Sequence, residues 1–301
     1  MAEKLKYFVN GQFRESKTDK WYDLHNPSTG EITGQAPCCT NDEVLEAIAA
    51  AKAAYPGWSA TPAIKRAQIL YRVRELILER MDELTMSVAK ENGKVWAESE
   101  GDVLKAKEGT ELATQVPSLM MGESIMDASR GYDTVKYREP LGVFAGIVPV
   151  NFPAMIPFGW MAPTCIATGN TLVLKAASLT PKTAMLFAQL YKDAGVPDGV
   201  INVVTCSRNE INTILEHPDV KGITFVGSTP VGLKIYEKAA ANGKRCQALC
   251  QAKNHALVME DCALERTVAG VINSAFGCAG QRCMALSCCV VQDSIADAFV
   301  A

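Results

Sequence analysis

The stretch Gly142-Val-Phe-Ala-Gly-Ile-Val148, running into Pro149-Val-Asn151-Phe-Pro153, decides the fold. An unbroken apolar run of this length, closed by a proline turn, is a strand covered on both faces, as in a parallel sheet between helical layers. The same unit repeats downstream. Thr171-Leu-Val-Leu-Lys175 is a strand followed by a helix over 180–194, and Gly199-Val-Ile-Asn-Val-Val204 precedes a helix over 210–216. Gly222-Ile-Thr-Phe-Val226 then leads through Gly227-Ser228-Thr229 into a helix over 231–241. Strands alternating with helices predict an α/β fold built on a doubly wound parallel sheet. Ligands of such sheets sit off the carboxyl ends of the strands. Asn151, Lys175, Ser178, Gly227 and Ser228 all fall there. The sequence has no intact G-x-G-x-x-G, so the usual dinucleotide fingerprint is not what points to this site.

Upstream, Tyr7-Phe-Val-Asn-Gly-Gln-Phe13 alternates apolar and polar residues about Asn10-Gly11, a hairpin signal, and Asn26-Pro-Ser-Thr-Gly30 makes a second turn. Thr40-Asn-Asp-Glu43 can cap a helix running through Ala54, and Thr61-Pro62 opens another that ends near Glu79. A third helix, over 81–91, stops at Asn92-Gly93, and a longer fourth spans 94–116. Between 125 and 140 the pattern becomes extended, with Thr134-Val-Lys-Tyr-Arg138 alternating in strand fashion. A hairpin there has a free edge, and a free edge needs a partner.

Composition narrows the function classes. With 48% hydrophobic and 21% charged residues, the 301-residue chain can bury a sizeable core in two domains. Its net charge of −3, with both signs interspersed, offers no basic face for nucleic acid, and no apolar run is long enough for a membrane. Met1-Ala-Glu-Lys-Leu-Lys-Tyr-Phe8 lacks the apolar core of a signal peptide. Eleven cysteines without such a leader, two adjacent pairs and the rest scattered, imply a reducing, cytoplasmic setting and not a disulfide framework. His25, His217 and His255 lie far apart, so no metal site is expected.

The second informative stretch is Phe276-Gly-Cys-Ala-Gly-Gln-Arg-Cys283-Met-Ala285. Before it, Thr267-Val-Ala-Gly-Val-Ile-Asn-Ser-Ala-Phe276 reads as a buried helix, and after it Ala285-Leu-Ser-Cys-Cys-Val-Val291 reads as a strand buried on both faces. A thiol held between a helix, a tight turn and a strand, beside backbone N–H groups, is placed as a nucleophile. An arbitrary cysteine more often packs in a core. That is the reading for Cys165 and Cys262, while Cys278 faces the core of the turn. Gly280-Gln-Arg-Cys-Met-Ala285 resembles the active-site cysteine signature of the aldehyde dehydrogenase superfamily, with Cys283 in the nucleophile's place. The order and spacing of elements resemble that family's cofactor domain from about Tyr7 to the last residue. Pro117-Ser-Leu-Met-Met-Gly-Glu-Ser124 and Ala252-Lys-Asn-His255 resemble one branch, the CoA-acylating methylmalonate-semialdehyde dehydrogenases.

The resemblance implies roles residue by residue. Asn151, which could otherwise serve only as a helix cap, would donate its amide to the oxyanion formed when the thiolate attacks an aldehyde. Val148 and Pro149 would line the cofactor site, Lys175 would hold the adenosine ribose of NAD, and Gly227 and Ser228 would meet its pyrophosphate at a helix N-terminus. Arg282 would take a substrate carboxylate in its bidentate fork. By the same resemblance, residues 1–124 and 142–252 form the NAD-binding domain and 125–141 is an arm that pairs subunits in a homo-oligomer, a dimer or tetramer. Residues 253–301 are then the truncated start of a catalytic domain. Four positions depart from the family. Ser178 stands where many members have a ribose-binding Glu, which opens the site to NADP. Cys206 replaces a glycine, and Lys105 stands in place of the branch's second substrate arginine. Leu249, aligned on Lys253, occupies the place of the glutamate that activates water. Leucine takes no proton, and a thiol acceptor is the better nucleophile at neutral pH. The expected function is therefore NAD-dependent oxidation of a short-chain aldehyde or semialdehyde, with the acyl group passed to coenzyme A. The alternatives are a hydrolytic enzyme using Glu260 or Glu265, or a catalytically silent nucleotide-binding or interaction protein.

Overall fold

The computed structural model describes residues 3–301. Asn10 and Gly11 both take positive φ, so the tight turn between β1 (Tyr7–Val9) and β2 (Gln12–Arg14) forms the expected hairpin. A second hairpin joins β3 (Trp21–His25) to β4 (Ile32–Pro37) across the 26–30 turn. Helix α1 (Asn41–Ala60) starts in a capping box, Thr40 and Glu43 exchanging side-chain and backbone bonds. It runs past Ala54 with Pro56 inside it, because Trp58 is drawn into the core, where its indole N–H donates to the Ile166 carbonyl at 2.9 Å. Helices α2 (Ala63–Glu79), α3 (Met81–Asn92) and α4 (Trp96–Ala113) follow, then the short α5 (Val116–Leu119). Gly93 ends α3 in the left-handed conformation a C-terminal glycine is suited to. Among the described residues, no helix is long and apolar enough to cross a membrane.

Every residue of β5 (Ser124–Ser129) and β6 (Tyr132–Val135) is exposed, and among the described residues the two strands pair only with each other. The main sheet then begins with β7 (Val143–Ile147). The chain continues through a wide π-helical segment (Ile156–Met161) into α6 (Ala162–Ala167), then β8 (Thr171–Lys175), α7 (Lys182–Asp193), β9 (Ile201–Val204) and α8 (Arg208–Glu216). It closes with β10 (Val220–Val226), α9 (Thr229–Ala241) and β11 (Arg245–Leu249). Pro157 and Pro163 each remove an N–H from the helix after β7, a standard cause of a widened turn. The strand order is β11-β10-β7-β8-β9-β1-β2, parallel through the first five and antiparallel at β1 and β2. Alternation along each strand feeds two cores. Leu172 and Leu174 pack with Leu70, Phe158 and Phe187 on one face, while Val173 packs with Ile48, Ile214 and Ile235 on the other.

Two expectations fail in the last segment. Helix α10 (Leu264–Phe276) has no buried residue, and β13 (Leu286–Val291) has none either. Among the described residues β13 pairs only with β12 (Asn254–Val258), in a two-stranded parallel sheet. One strand pair covers a single face of one helix, so side chains patterned for a fully covered sheet remain in solvent.

Glu91, at the end of α3, is buried and caps α7 by accepting the Lys182 N–H at 2.9 Å and the Thr183 N–H at 3.1 Å. Burial pushes its carboxyl up to about 7 against these stabilising bonds. Between its unfolded value near 4.5 and about 7, the folded chain holds a proton that the unfolded chain has released. This group's contribution therefore falls as pH rises through that window, by on the order of 3 kcal/mol. Urea titrations at pH 5 and pH 8 should show that share of the pH dependence vanish in Glu91→Gln; an identical dependence in both proteins would refute it.

Candidate active site

β7 and β10 are neighbours in the sheet, yet the chain leaves them toward opposite sides, so a crevice opens off their carboxyl ends. Buried Val148 and half-buried Pro149 begin one wall, followed by Asn151; Gly227 and Ser228 begin the other. Ser228 is the N-cap of α9, so the free N–H groups of that helix's first turn open at the crevice. A cleft of about 810 Å³ extends from here between α8 and α9, lined by Ile147, Lys175, Cys206, Ile211, Pro230 and Val231. Its size and apolar walls suit an adenosine group. Burial draws the Lys175 pKa down, and no carboxylate is among the groups that oppose this; the Cys206 and Cys38 thiols are. The ammonium makes no side-chain hydrogen bond or ion pair among the described residues, so a ligand hydroxyl can take it. Ser178 lies half-buried in the turn beyond β8. Cys206, at the end of β9, is buried in the cleft floor, and burial raises its pKa to about 12.

The cysteine-bearing turn lies across the crevice. After α10, Cys278, Ala279 and Gly280 take φ of 54°, 55° and 69°, three left-handed residues in succession. Only glycine does so freely; each of the other two costs about 1–2 kcal/mol. Cys278 itself is buried, as expected from its place in the turn. The reversal brings Cys283 to face Asn151. The Asn151 amide Nδ2 donates to the Gln281 carbonyl at 2.7 Å and lies 3.9 Å from the Cys283 Sγ. The carbonyl acceptor fixes which way the amide points, and Oδ1 is left buried without a partner. Asn254, on β12, donates to the carbonyls of Cys283 at 2.9 Å and Ala285 at 3.0 Å, fixing the backbone on either side of the thiol. This second asparagine escaped the sequence reading; its only signal was its place in Ala252-Lys-Asn-His255.

The remaining candidates separate. The guanidinium of Arg282 pairs with Glu98 of α4 at 3.5 Å and donates from Nε to the Cys278 thiol at 3.2 Å. The Cys278 hydrogen bond, then Glu98, raises its pKa against partial burial. Lys105 forms an exposed ion pair with Glu108 at 2.6 Å. Leu249 is the last residue of β11, 43% exposed, and its carbonyl accepts the Gly227 N–H at 3.1 Å. Glu260 receives the Ser294 hydroxyl at 2.8 Å, and Glu265 sits in the first turn of α10; neither hydrogen-bonds the Cys283 turn.

A doubly wound α/β sheet with a cleft at its switch point and a thiol facing a side-chain amide defines a nucleotide-binding fold of the dehydrogenase kind. The chain belongs to the aldehyde dehydrogenase family, whose profile matches residues 13–301. It is 47% identical over 299 residues to malonate-semialdehyde dehydrogenase 2 of Geobacillus kaustophilus, covering 99% of this chain and 62% of that protein. It is 45% identical over 287 residues to the acylating, mitochondrial methylmalonate-semialdehyde/malonate-semialdehyde dehydrogenase of Rattus norvegicus, covering 95% and 54%. Among solved structures, the methylmalonate-semialdehyde dehydrogenase of Oceanimonas doudoroffii superposes with a TM-score of 0.96 at 40% identity, over 100% of this chain and 61% of that one. A Sinorhizobium meliloti 1021 structure complexed with NAD gives 0.97 at 35% identity, over 100% and 61%. The chain thus spans about three-fifths of the length of these relatives.

Thiol accessibility follows from this geometry. Cys283 and Cys250 are the exposed cysteines, whereas burial holds Cys39, Cys165 and Cys206 each at about 12. At pH 8 the latter group is thiolate to only about one part in 10⁴. Iodoacetamide followed by peptide mass spectrometry should label Cys283 first and faster than Cys250; equal, slow labelling of both would favour a catalytically silent protein.

Proposed function

We propose that the protein supplies the cofactor site and the nucleophile of an NAD-dependent, CoA-acylating oxidation of a short-chain aldehyde or semialdehyde. The observation that carries this is the Asn151 amide, 3.9 Å from the Cys283 Sγ. Attack of the thiolate on an aldehyde carbonyl forms a thiohemiacetal whose oxygen carries the developing negative charge. A donor already held by the Gln281 carbonyl needs no reorganisation to meet that charge. The cleft with Lys175 in its wall and the first turn of α9 at its mouth fit two neighbouring parts of a dinucleotide, the adenosine ribose and the anionic pyrophosphate. Bound there, NAD supplies the hydride acceptor, and NADP is admissible because Ser178 presents no charge to a 2′-phosphate. Loss of hydride leaves an acyl thioester on Cys283. Leu249 provides no base for water on that side, so coenzyme A is the acceptor that resolves it. The relatives' names, malonate- and methylmalonate-semialdehyde dehydrogenases, support a small semialdehyde substrate.

Residues 1–124 and 142–252 are read as the NAD domain and 253–301 as the beginning of the catalytic domain. The exposed 125–141 arm, whose strands have free edges, is read as the contact with a second subunit.

Two measurements test this function. Mixing enzyme with NAD and a short-chain semialdehyde in the absence of coenzyme A should give a burst of NADH stoichiometric with Cys283, then a slow phase that coenzyme A accelerates. General-base help amounts to about 10²–10⁴ in rate, so Leu249→Glu should raise the CoA-independent rate. The exposure of Leu249 limits the packing lost in that variant. Fast turnover indifferent to coenzyme A would reject the acylating assignment.

The other measurement concerns the cofactor. By calorimetry, NADP should bind within about tenfold of NAD, and Ser178→Glu should weaken NADP by a further factor of about ten through like-charge repulsion. An unchanged ratio would remove Ser178 from cofactor choice.

A further inference from the structure

Cys283 lies on a turn whose conformation its own sequence disfavours, since two of the three left-handed residues before it are not glycine. The helix, the turn and the two-stranded sheet around it bury little surface, so the turn depends on specific tethers. One comes from far along the chain. Glu98, in the first turn of α4, accepts the Cys278 backbone N–H at 2.6 Å with Oε1. The same oxygen receives the Arg282 guanidinium at 3.5 Å, and Arg282 Nε reaches back to the Cys278 Sγ at 3.2 Å. One carboxylate thus clasps the first left-handed residue of the turn and the residue next to the nucleophile. The guanidinium fits only because residue 277 is glycine: a Cβ there would lie 2.7 Å from its central carbon.

We propose that Glu98 is a positioning residue for the nucleophile, fixing the 277–283 turn through the Cys278 N–H and Arg282 so that Cys283 faces Asn151. The proposal rests on Cys283 being the nucleophile. It also gives Arg282 a second duty: held by Glu98, its guanidinium is part of the clasp, and a substrate carboxylate has to compete with Glu98 for it. Glu98 itself makes no contact with the Cys283 thiol and acts through the backbone it holds.

Amide hydrogen exchange in the 277–283 segment and the pH profile of Cys283 alkylation, both on this chain, test it. Glu98→Ala removes the acceptor. The segment's exchange should accelerate about tenfold or more, the change expected on loss of a hydrogen bond to a charged group. Cys283 alkylation should slow about fivefold, while NAD affinity at the Lys175 cleft stays as in the wild type. Glu98→Gln keeps an oxygen acceptor for the N–H and should stay within about threefold of wild type in exchange. Where Glu98→Ala fails to fold, Glu98→Asp carries the test, since it keeps the charge and shortens the reach by one carbon. Gly277→Ala, which displaces the guanidinium with Glu98 intact, should also slow Cys283. Wild-type exchange and alkylation in Glu98→Ala or Glu98→Asp would overturn the proposal, as would Glu98→Gln being as damaging as Glu98→Ala. A wild-type Cys283 no faster than Cys250 would instead count against the acyl-transfer function, on which the exchange measurement does not depend.

Discussion

The buried ion pair between Lys94 and Asp102 is the constraint on which one side of the site depends. Both side chains are fully buried, with Nζ 3.1 Å from Oδ2. Burial raises the Asp102 pKa and so opposes its charge; the facing Lys94 ammonium and the Met155 N–H, donating at 2.7 Å, counter that. A buried pair of this kind adds little net stability over an apolar core, yet losing one partner costs about 3–5 kcal/mol. What it contributes is location. It locks the α3–α4 corner to the segment leaving β7, with the Lys94 ammonium 3.9 Å above the Phe152 ring and the Asn92 amide donating to the Val150 carbonyl at 2.9 Å. Asn151 lies between those two anchored neighbours, so its amide is held by its flanks before any ligand arrives.

The same corner reaches the other side of the site. Asn92, Lys94, Glu98 and Asp102 occupy little more than one helical hairpin, and among them they hold the loop that carries Asn151 and the turn that carries Cys283. Gly159 and Gly109 let the π-helical segment and α4 approach until backbone meets backbone; a Cβ on Gly109 would fall 2.1 Å from the Gly159 carbonyl. A side chain at either position would part α4 from the β7 loop, and with it the two halves of the site.

The sheet was legible because its strands are short, apolar runs separated by helix-length segments, a pattern that forces parallel pairing with helices on both faces. The hairpin at Asn10-Gly11 and the cap at Thr40 were legible because their chemistry is local. β11 escaped notice because Arg245-Cys-Gln-Ala-Leu249 is a short edge strand in which no residue is fully buried. The burial foreseen for α10 and β13 came from their apolar composition, whereas burial requires an opposing layer, and the described residues provide a single pair of strands. Asn151 and Cys283 could each be singled out in the sequence from their surroundings. Their separation of 132 residues meant that only the folded chain could bring them together. Glu98 gave no sign in the sequence, since a glutamate in the first turn of a helix is explained by the helix dipole alone.

The left-handed run at Cys278 and Ala279 sets the terms for the rest of the turn. Strain of about 1–2 kcal/mol at each residue is comparable with what one hydrogen bond to a charged acceptor contributes, about 1.5–3 kcal/mol. Without the Glu98 carboxylate the turn would relax toward ordinary φ values, and a rotation at Cys278 would be carried along the backbone to Cys283. Asn254 resists that displacement from the β12 side through the Cys283 and Ala285 carbonyls, and Asn151 from the β7 side through the Gln281 carbonyl. Three side chains from three distant segments therefore hold a strained backbone, Glu98 through the Cys278 N–H and the Arg282 guanidinium, the two asparagines through main-chain carbonyls. Restraint of this kind fixes the backbone on either side of Cys283 and holds the Asn151 amide facing its thiol.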